Sequence, residues 1–326
     1  MTPLGKALSD RIRSEGPLSV EAYMEACNSY YYATRDPLGT GGDFTTAPEI
    51  HQMFGELIGA ALADVWSRAG KPGNTIYAEL GPGRGTLASD ALRVLRRAGF
   101  EGSVHLVETS PTLREGQSKL LPEAKFHESL DTLPAEPLLL AANEFFDALP
   151  VRQFVDGRER HVILAAGGLA FDRDGAIAEQ SPVREEVARQ LASLLVANGG
   201  AALIIDYGYS GGEQGDTLQA VRGHEFSYVL DHPGEQDLTA HVDFAALAEA
   251  ARQAGAPVSR AVSQGSWLET LGISARAMAL AAKNPQDTES IAEARRRLCD
   301  EEEMGRLFKV MALRSPDWPG VAGFDS

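Results

Sequence analysis

The sequence predicts an α/β protein built on a doubly wound, mostly parallel sheet. Three observations carry this expectation. Short apolar runs alternate with amphipathic helical stretches from about residue 75 onward. A glycine-rich turn, "GPGRG", follows the first of those runs. The segment "PLLLAANEFF" opens on an unbroken apolar run, the pattern of a strand covered on both faces at the centre of a parallel sheet.

Taken in order, Leu4, Ala7, Leu8 and Ile12, then Val20, Tyr23 and Met24, recur at helical spacing. They predict two short helices separated by Pro17, with Ser19 as N-cap of the second. "YYYATRDPLGTGGDFTTAPEI" reads as loop, and a helix is expected from Pro48 to Gly70. The alternation then runs "TIYAEL", "TLASDALRVLRRAG", "SVHLVE", "SPTLREGQSKLL", "AKFHES", "PLLLAANEFF", "VREEVARQLASLLVANGG" and "AALIIDYG". Turn signals at Asp156-Gly157, Gly167-Gly168 and Asp174-Gly175 predict a small antiparallel flap at about 151–182. A long glycine-bearing loop is expected after Gly208, and loops of that length are more often functional than idle. The tail adds a helix ("FAALAEAARQAG"), a strand ("VSRAVS"), further helix and a last strand, "LFKVMALRS". The expected organisation is an N-terminal helical cap with its loop over 1–70 and a core carrying the flap over 71–326.

Charge narrows the function. The 46 acidic residues against 30 basic ones leave a net charge of −16, which argues against a general nucleic-acid binder. It suits solubility or a basic partner. Cys27 and Cys299 belong to no CxxC or Cys/His cluster, so neither a metal site nor a disulfide framework is expected. The N-terminus shows no signal-peptide apolar region, and no run reaches the roughly 18 apolar residues of a membrane helix. A cytoplasmic protein without membrane insertion is therefore expected, with self-association left open.

The glycines are Gly81, Gly83 and Gly85. A dinucleotide fingerprint needs G-x-G-x-x-G, and the third glycine here stands one place too early. No phosphate-loop pattern occurs either. The remaining common use of such a turn is S-adenosylmethionine, which carries no phosphate. Glu79 closes the first strand, and Glu108, closing the second, is placed to accept both ribose hydroxyls. Arg84 stands either to meet the methionine carboxylate or to pair with Glu79.

"GGDFTTAPEIHQMFGELIG", "AELGPGRGTL", "LLAANEFFDALPVRQF", "IIDYGY", "DLTAHVDF" and "MGRLFKVM" follow one another from Asp43 to Val310. In that order they resemble the MidA-type S-adenosylmethionine-dependent methyltransferases, whose mitochondrial members assist assembly of respiratory complex I. The resemblance implies a class I methyltransferase fold (Rossmann-like) with a doubly wound seven-stranded sheet. It also implies methylation of an arginine in a protein partner, the 49-kDa-type subunit of complex I.

An arginine acceptor is a demanding nucleophile, because its guanidinium stays protonated. Its site should hold the planar fork with carboxylates and accept its N–H groups. Asn143 and Glu144, just beyond the fourth predicted strand, are the candidate catalytic pair, with Asp147 a short turn away. Asp147 is equally suited to capping a helix. Asp43, Phe44, Thr46, Glu79, Gly81, Gly83, Gly85, Glu108 and Asn143 are the candidate cofactor-binding residues. Thr46 and Glu49 also form a capping-box pattern. Asp206, His241 and His51 are further candidates for the rim, and Asp243 for a helix cap. The rival readings are a nicotinamide-dependent oxidoreductase, an assembly factor that binds the cofactor without transferring its methyl group, and a methyltransferase acting on a small molecule or another protein.

Overall fold

The computed structural model describes residues 2–34, 46–212 and 215–324. Its centre is a sheet of β1 (Ile76–Leu80), β2 (Val104–Val107), β3 (Lys125–His127), β4 (Leu138–Asn143), β5 (Gly200–Tyr209), β6 (Val262–Ser263) and β7 (Phe308–Arg314). Their spatial order is β6-β7-β5-β4-β1-β2-β3. β1 to β5 run parallel, and β7 is antiparallel to both β5 and β6. A short eighth strand, Val242–Asp243, pairs in parallel with the end of β5. The order reverses between β1 and β4, and a ligand crevice forms at such a switch point beyond the carboxyl ends of the strands.

Twelve helices accompany the described sheet, of which eight matter here: α1 (Pro3–Glu15), α2 (Val20–Thr34), α3 (Ala47–Ile50), α4 (Met53–Arg68), α5 (Thr86–Arg97), α6 (Pro111–Leu120), α7 (Pro182–Asn198) and α8 (Phe244–Gln253). Strand alternation separates two cores. Tyr77, Leu139, Ala141 and Leu203 pack with α4 and α5 on one face. Ile76, Ala78, Leu80, Leu138, Leu140 and Ile204 pack with α7 and α8 on the other. α4 lies unusually close to α5 because Gly55 and Gly59 face it. A Cβ on Gly59 would stand 2.5 Å from the Ala91 carbonyl oxygen, and one on Gly55 would stand 2.6 Å from the Asp90 Cβ.

A third core joins segments far apart in sequence. It brings together Leu8, Ile12, Tyr23 and Met24 of α1 and α2, Val151 and Val162 of the flap, and Leu218, Ala220 and Leu238 beyond β5. The flap is antiparallel: Arg152–Val155 pairs with Arg158–Glu159 and with Ile177–Gln180, and His161–Ala165 pairs with Gly168–Phe171. Leu18–Ser19 joins the second of these sheets, tying the flap to the N-terminal helices.

Three elements differ from the sequence expectation. α2 continues to Thr34, because Tyr31 is fully buried and anchors its last turn. The helix expected from Pro48 to Gly70 is broken at His51, whose backbone is extended and whose Nδ1 accepts the Met53 N–H that opens α4. The region read as a long loop holds a three-stranded antiparallel sheet, with Gln219–Arg222 between Glu225–Ser227 and Asp237–Thr239. Its hairpin turns at Gly223 and His224, both with positive φ, and a histidine there carries little turn signal.

Candidate active site

A cleft of about 630 Å³ opens beyond the carboxyl ends of β1, β2 and β4, with α2 along one side. Among the described residues that line it, Glu25, Glu49, Glu79, Glu108 and Glu144 are acidic and Arg84 alone is basic.

One half of the cleft is built on the glycine turn. Glu79 is buried and accepts a 2.8 Å hydrogen bond from the Tyr77 hydroxyl; burial pushes its pKa up to about 8. Gly81 has φ +59, and a Cβ on it would stand 3.0 Å from Cδ2 of Phe145, which also lines the cleft. The Gly83 carbonyl accepts from Gln117 Nε2 at 2.6 Å, and Gln117 reaches Glu108 Oε2 at 3.2 Å. Glu108 Oε1 accepts the Ser110 N–H at 2.8 Å. Burial raises the Glu108 pKa, and these hydrogen bonds oppose the rise. Gly85, in the left-handed region at φ +82, starts α5 and does not line the cleft. Thr46 does line it, but no side-chain cap forms there: Glu49 accepts from the Thr86 hydroxyl instead of closing a capping box. Asp43 and Phe44 lie outside the described residues.

The other half is the turn after β4. Asn143 donates from Nδ2 to Glu144 Oε1 at 3.1 Å, while its buried Oδ1 has no hydrogen-bond partner among the described residues. Glu144 sits at φ +51, a left-handed conformation that side chains other than glycine rarely adopt. Its N–H donates to the Ile205 carbonyl at 2.9 Å, and its Oε1 also accepts the Ala47 N–H at 3.1 Å. Burial, and next the neighbouring Asp147, push the Glu144 pKa up to about 8.

Asp147 is buried and does not line the cleft: Oδ1 accepts the Ala148 N–H at 2.8 Å, and Tyr207 hydrogen-bonds it. Beneath the turn, Asp206 Oδ2 accepts the Phe146 and Asp147 N–H groups at 2.9 and 3.2 Å. The buried Arg184 donates to the carbonyls of Asp147, Leu149, Ala240 and His241. Asp206 therefore supports the site from below rather than lining it. His51 lies off the cleft, and His241 lines a separate hollow of about 90 Å³ beside Arg184. Asp243 caps α8 through the Ala245 and Ala246 N–H groups.

Asn28 and Tyr32 line the cleft from α2, and the sequence reading missed both. Asn28 Nδ2 donates to the carbonyls of Ala148 and Leu238, and Tyr32 Oη donates to Asp237 Oδ1 at 2.8 Å. The available signal was Asn28 itself, a polar residue within the apolar stripe of Val20, Tyr23, Met24, Cys27 and Tyr31.

The chain belongs to a family of S-adenosylmethionine-dependent methyltransferases. The family model described as "Putative S-adenosyl-L-methionine-dependent methyltransferase" matches residues 57–168 and 162–262. Among curated proteins, the chain is 35% identical to the Drosophila melanogaster "Protein arginine methyltransferase NDUFAF7 homolog, mitochondrial", over 98% of this chain and 85% of that protein. It is 34% identical to "Protein arginine methyltransferase NDUFAF7, mitochondrial" of Danio rerio (94% and 86%) and 32% identical to that of Homo sapiens (96% and 83%). A Burkholderia thailandensis protein crystallised with S-adenosyl-homocysteine superposes with a TM-score of 0.85 at 28% identity, over 98% of this chain and 93% of that one. The class I methyltransferase fold and the S-adenosylmethionine cofactor expected from the sequence therefore hold. The cytoplasmic location does not: these curated relatives are named mitochondrial proteins. No helix among the described residues is long and apolar enough to cross a membrane.

The residues present fit the cofactor. Glycine at position 81 lets the chain turn at positive φ beside Phe145, where a side chain would crowd the ring. Among the described lining residues carboxylates outnumber basic groups five to one, which suits a cationic sulfonium and disfavours a polyphosphate.

Proposed function

We propose that this chain is a protein arginine N-methyltransferase whose acceptor is a 49-kDa-type subunit of respiratory complex I. The observation that carries the reading is the Asn143–Glu144 pair at the floor of the cleft. It combines a buried acceptor atom with no hydrogen-bond partner among the described residues and a carboxylate whose ionisation burial opposes. A guanidinium supplies both missing elements, a cationic charge and several N–H donors in one plane. The curated relatives' names and the acidic lining support the same reading.

In this reading Gly81, Gly83, Glu79, Thr46 and Glu108 hold the cofactor, Glu108 through the ribose hydroxyls, with Gly85 starting the helix behind the turn. Asp43 and Phe44 belong to the same group by the family resemblance. When bound, S-adenosylmethionine supplies an electrophilic methyl group on a sulfonium. Asn143 Oδ1 accepts a guanidinium N–H and fixes the plane of the incoming group. Both described hydrogen bonds to the Glu144 carboxylate end on Oε1, and in this reading Oε2 pairs with the guanidinium. The guanidinium's charge favours the ionised form of Glu144. As the nitrogen gains its methyl group it loses one proton, and Glu144, poised near pH 8 before substrate arrives, receives it. Asp147 acts from behind the turn, through Tyr207 and its effect on Glu144, without touching substrate.

The test is transfer of labelled methyl from S-adenosylmethionine to the purified subunit, followed by peptide mapping. Methylarginine in that subunit, lost with Glu144→Gln while cofactor binding persists, is the expected outcome. Label on lysine or on a small molecule refutes the acceptor. Cofactor binding with no transfer to any acceptor favours the assembly-factor alternative.

A further inference from the structure

The three-stranded sheet after β5 has two unlike faces. Ala220 and Leu238 point into the third core, so their neighbours in each strand point the other way. Paired residues of antiparallel strands share a face, and the registers place Phe226, Val221 and Asp237 in one cross-strand row, with Gln219 and Thr239 beside it. This outer face looks toward the reaction site. Asp237 accepts from the Tyr32 hydroxyl, and Tyr32 lines the cleft. Gln219 Nε2 donates to Tyr207 Oη at 3.4 Å, and Tyr207 hydrogen-bonds Asp147 behind the catalytic turn.

Followed outward, the row ends in solvent. Glu225–Ser227 is an edge strand, and Phe226 is 79% exposed and Tyr228 55% exposed. Two large aromatics exposed two residues apart, on the edge of a sheet whose opposite edge holds the cleft's Tyr32 through Asp237, are unusual for a surface with no partner.

We propose that this edge is where the acceptor protein docks. Its segment lies against Phe226 and Tyr228 and extends the sheet, which delivers its arginine along the Phe226–Val221–Asp237 row into the cleft. The occupant is set by charge and by placement. The chain carries a net charge of −16, and five glutamates line the cleft to which the row leads. The matching partner is therefore a basic segment with apolar side chains beside its arginine. The inference rests on the protein-arginine reading above and adds to it the surface that selects the protein.

The experiment compares two acceptors, the intact subunit and a short arginine peptide cut from it, with wild type and the F226A/Y228A double variant. Both positions are exposed, so the variant should melt as wild type does. The expected result is a KM for the intact subunit raised on the order of tenfold, with kcat and all peptide kinetics within about twofold of wild type. An unchanged KM for the intact subunit overturns the docking proposal alone. A parallel loss on the peptide also overturns it, since the aromatics would then serve the cleft itself. Failure of the wild type to methylate arginine in either acceptor overturns the functional reading, and the partner proposed here with it.

Discussion

Replacing Gly81 with alanine separates the conformational use of the glycine turn from its contact with the cleft, because Gly85 provides an internal control. Both residues lie in the left-handed region, at φ +59 and +82. An alanine there costs roughly 1–2 kcal/mol of backbone strain, offset by about 0.4–1 kcal/mol from the stiffer unfolded chain. Each variant should therefore lose about 1 kcal/mol of stability, a fall in Tm of about 1.5 °C for a chain of this length. The surroundings differ. A Cβ at position 85 meets its nearest neighbours at 3.6 Å, an ordinary contact, whereas at position 81 it stands 3.0 Å from the Phe145 ring. That ring must shift by a few tenths of an ångström within the cleft, forfeiting roughly 1 kcal/mol of ligand contact, or about fivefold in affinity. Titration calorimetry with S-adenosyl-homocysteine and thermal melts read the two effects separately. Equal Kd values for the two variants, or a larger affinity loss at Gly85, would refute the argument that Gly81 packs against the bound cofactor.

Other expectations follow from the buried charges and the tight packing. The rate profile of kcat/KM should rise with pH along a limb near 8, where Glu144 of the free enzyme loses its proton, and Glu144→Gln should abolish that limb along with transfer. Glu79 titrates near 8 in the fold but near 4.5 when unfolded, so the folded chain binds the extra proton between those values and stability falls as pH rises through the window. Glu79→Gln, which keeps an acceptor for Tyr77, should therefore gain stability relative to wild type between pH 5.5 and pH 8 in urea titrations. No change in that difference would show that the carboxyl does not titrate there. Arg184→Met removes a buried guanidinium that donates to four carbonyls and faces the carboxylates of Asp206 and Asp147, and should cost about 3–5 kcal/mol in denaturant unfolding. Gly59→Ala should cost about 1–3 kcal/mol by driving α4 off α5, and a neutral result would mean that the helices separate freely.

The central sheet was legible because each of its main strands is a local apolar run followed by a helix, and handedness does the rest. The same locality made the glycine turn, Glu79 and Glu108 readable. Asn143 and Glu144 were expected at the cleft from their place at the carboxyl edge of β4, and both line it. Asp147 was named with them, yet one residue along a tight turn decides whether a side chain faces the cleft or the interior, and spacing carries no such information. Thr46 and Glu49 fit a capping box by pattern, but the hydroxyl of Thr86, 37 residues on from Glu49, captures the carboxylate first. The sheet over 219–239 was hidden because its strands are three or four residues long and owe their order to α2 and the flap. Asn28 and Tyr32 were missed for the same reason: their place in the cleft wall depends on partners that the helix itself does not contain.

The dependence of α2 on distant partners also bears on how the chain is made. The Tyr23 hydroxyl bonds a carbonyl 206 residues later, and Asn28 bonds one 210 residues later. At a synthesis rate of about 5–20 residues per second, α2 leaves the ribosome roughly 10–40 s before Leu238 exists to receive it. Until then Tyr23, Met24 and Cys27, all fully buried at the end, lack the part of their core that Leu218, Ala220 and Leu238 supply. The cofactor half, whose strands and helices follow one another closely along the chain, can assemble as it emerges. The helix along one side of the cleft is thus synthesised long before its partners beyond β5, so a nascent-chain holdase should find its target in residues 20–34.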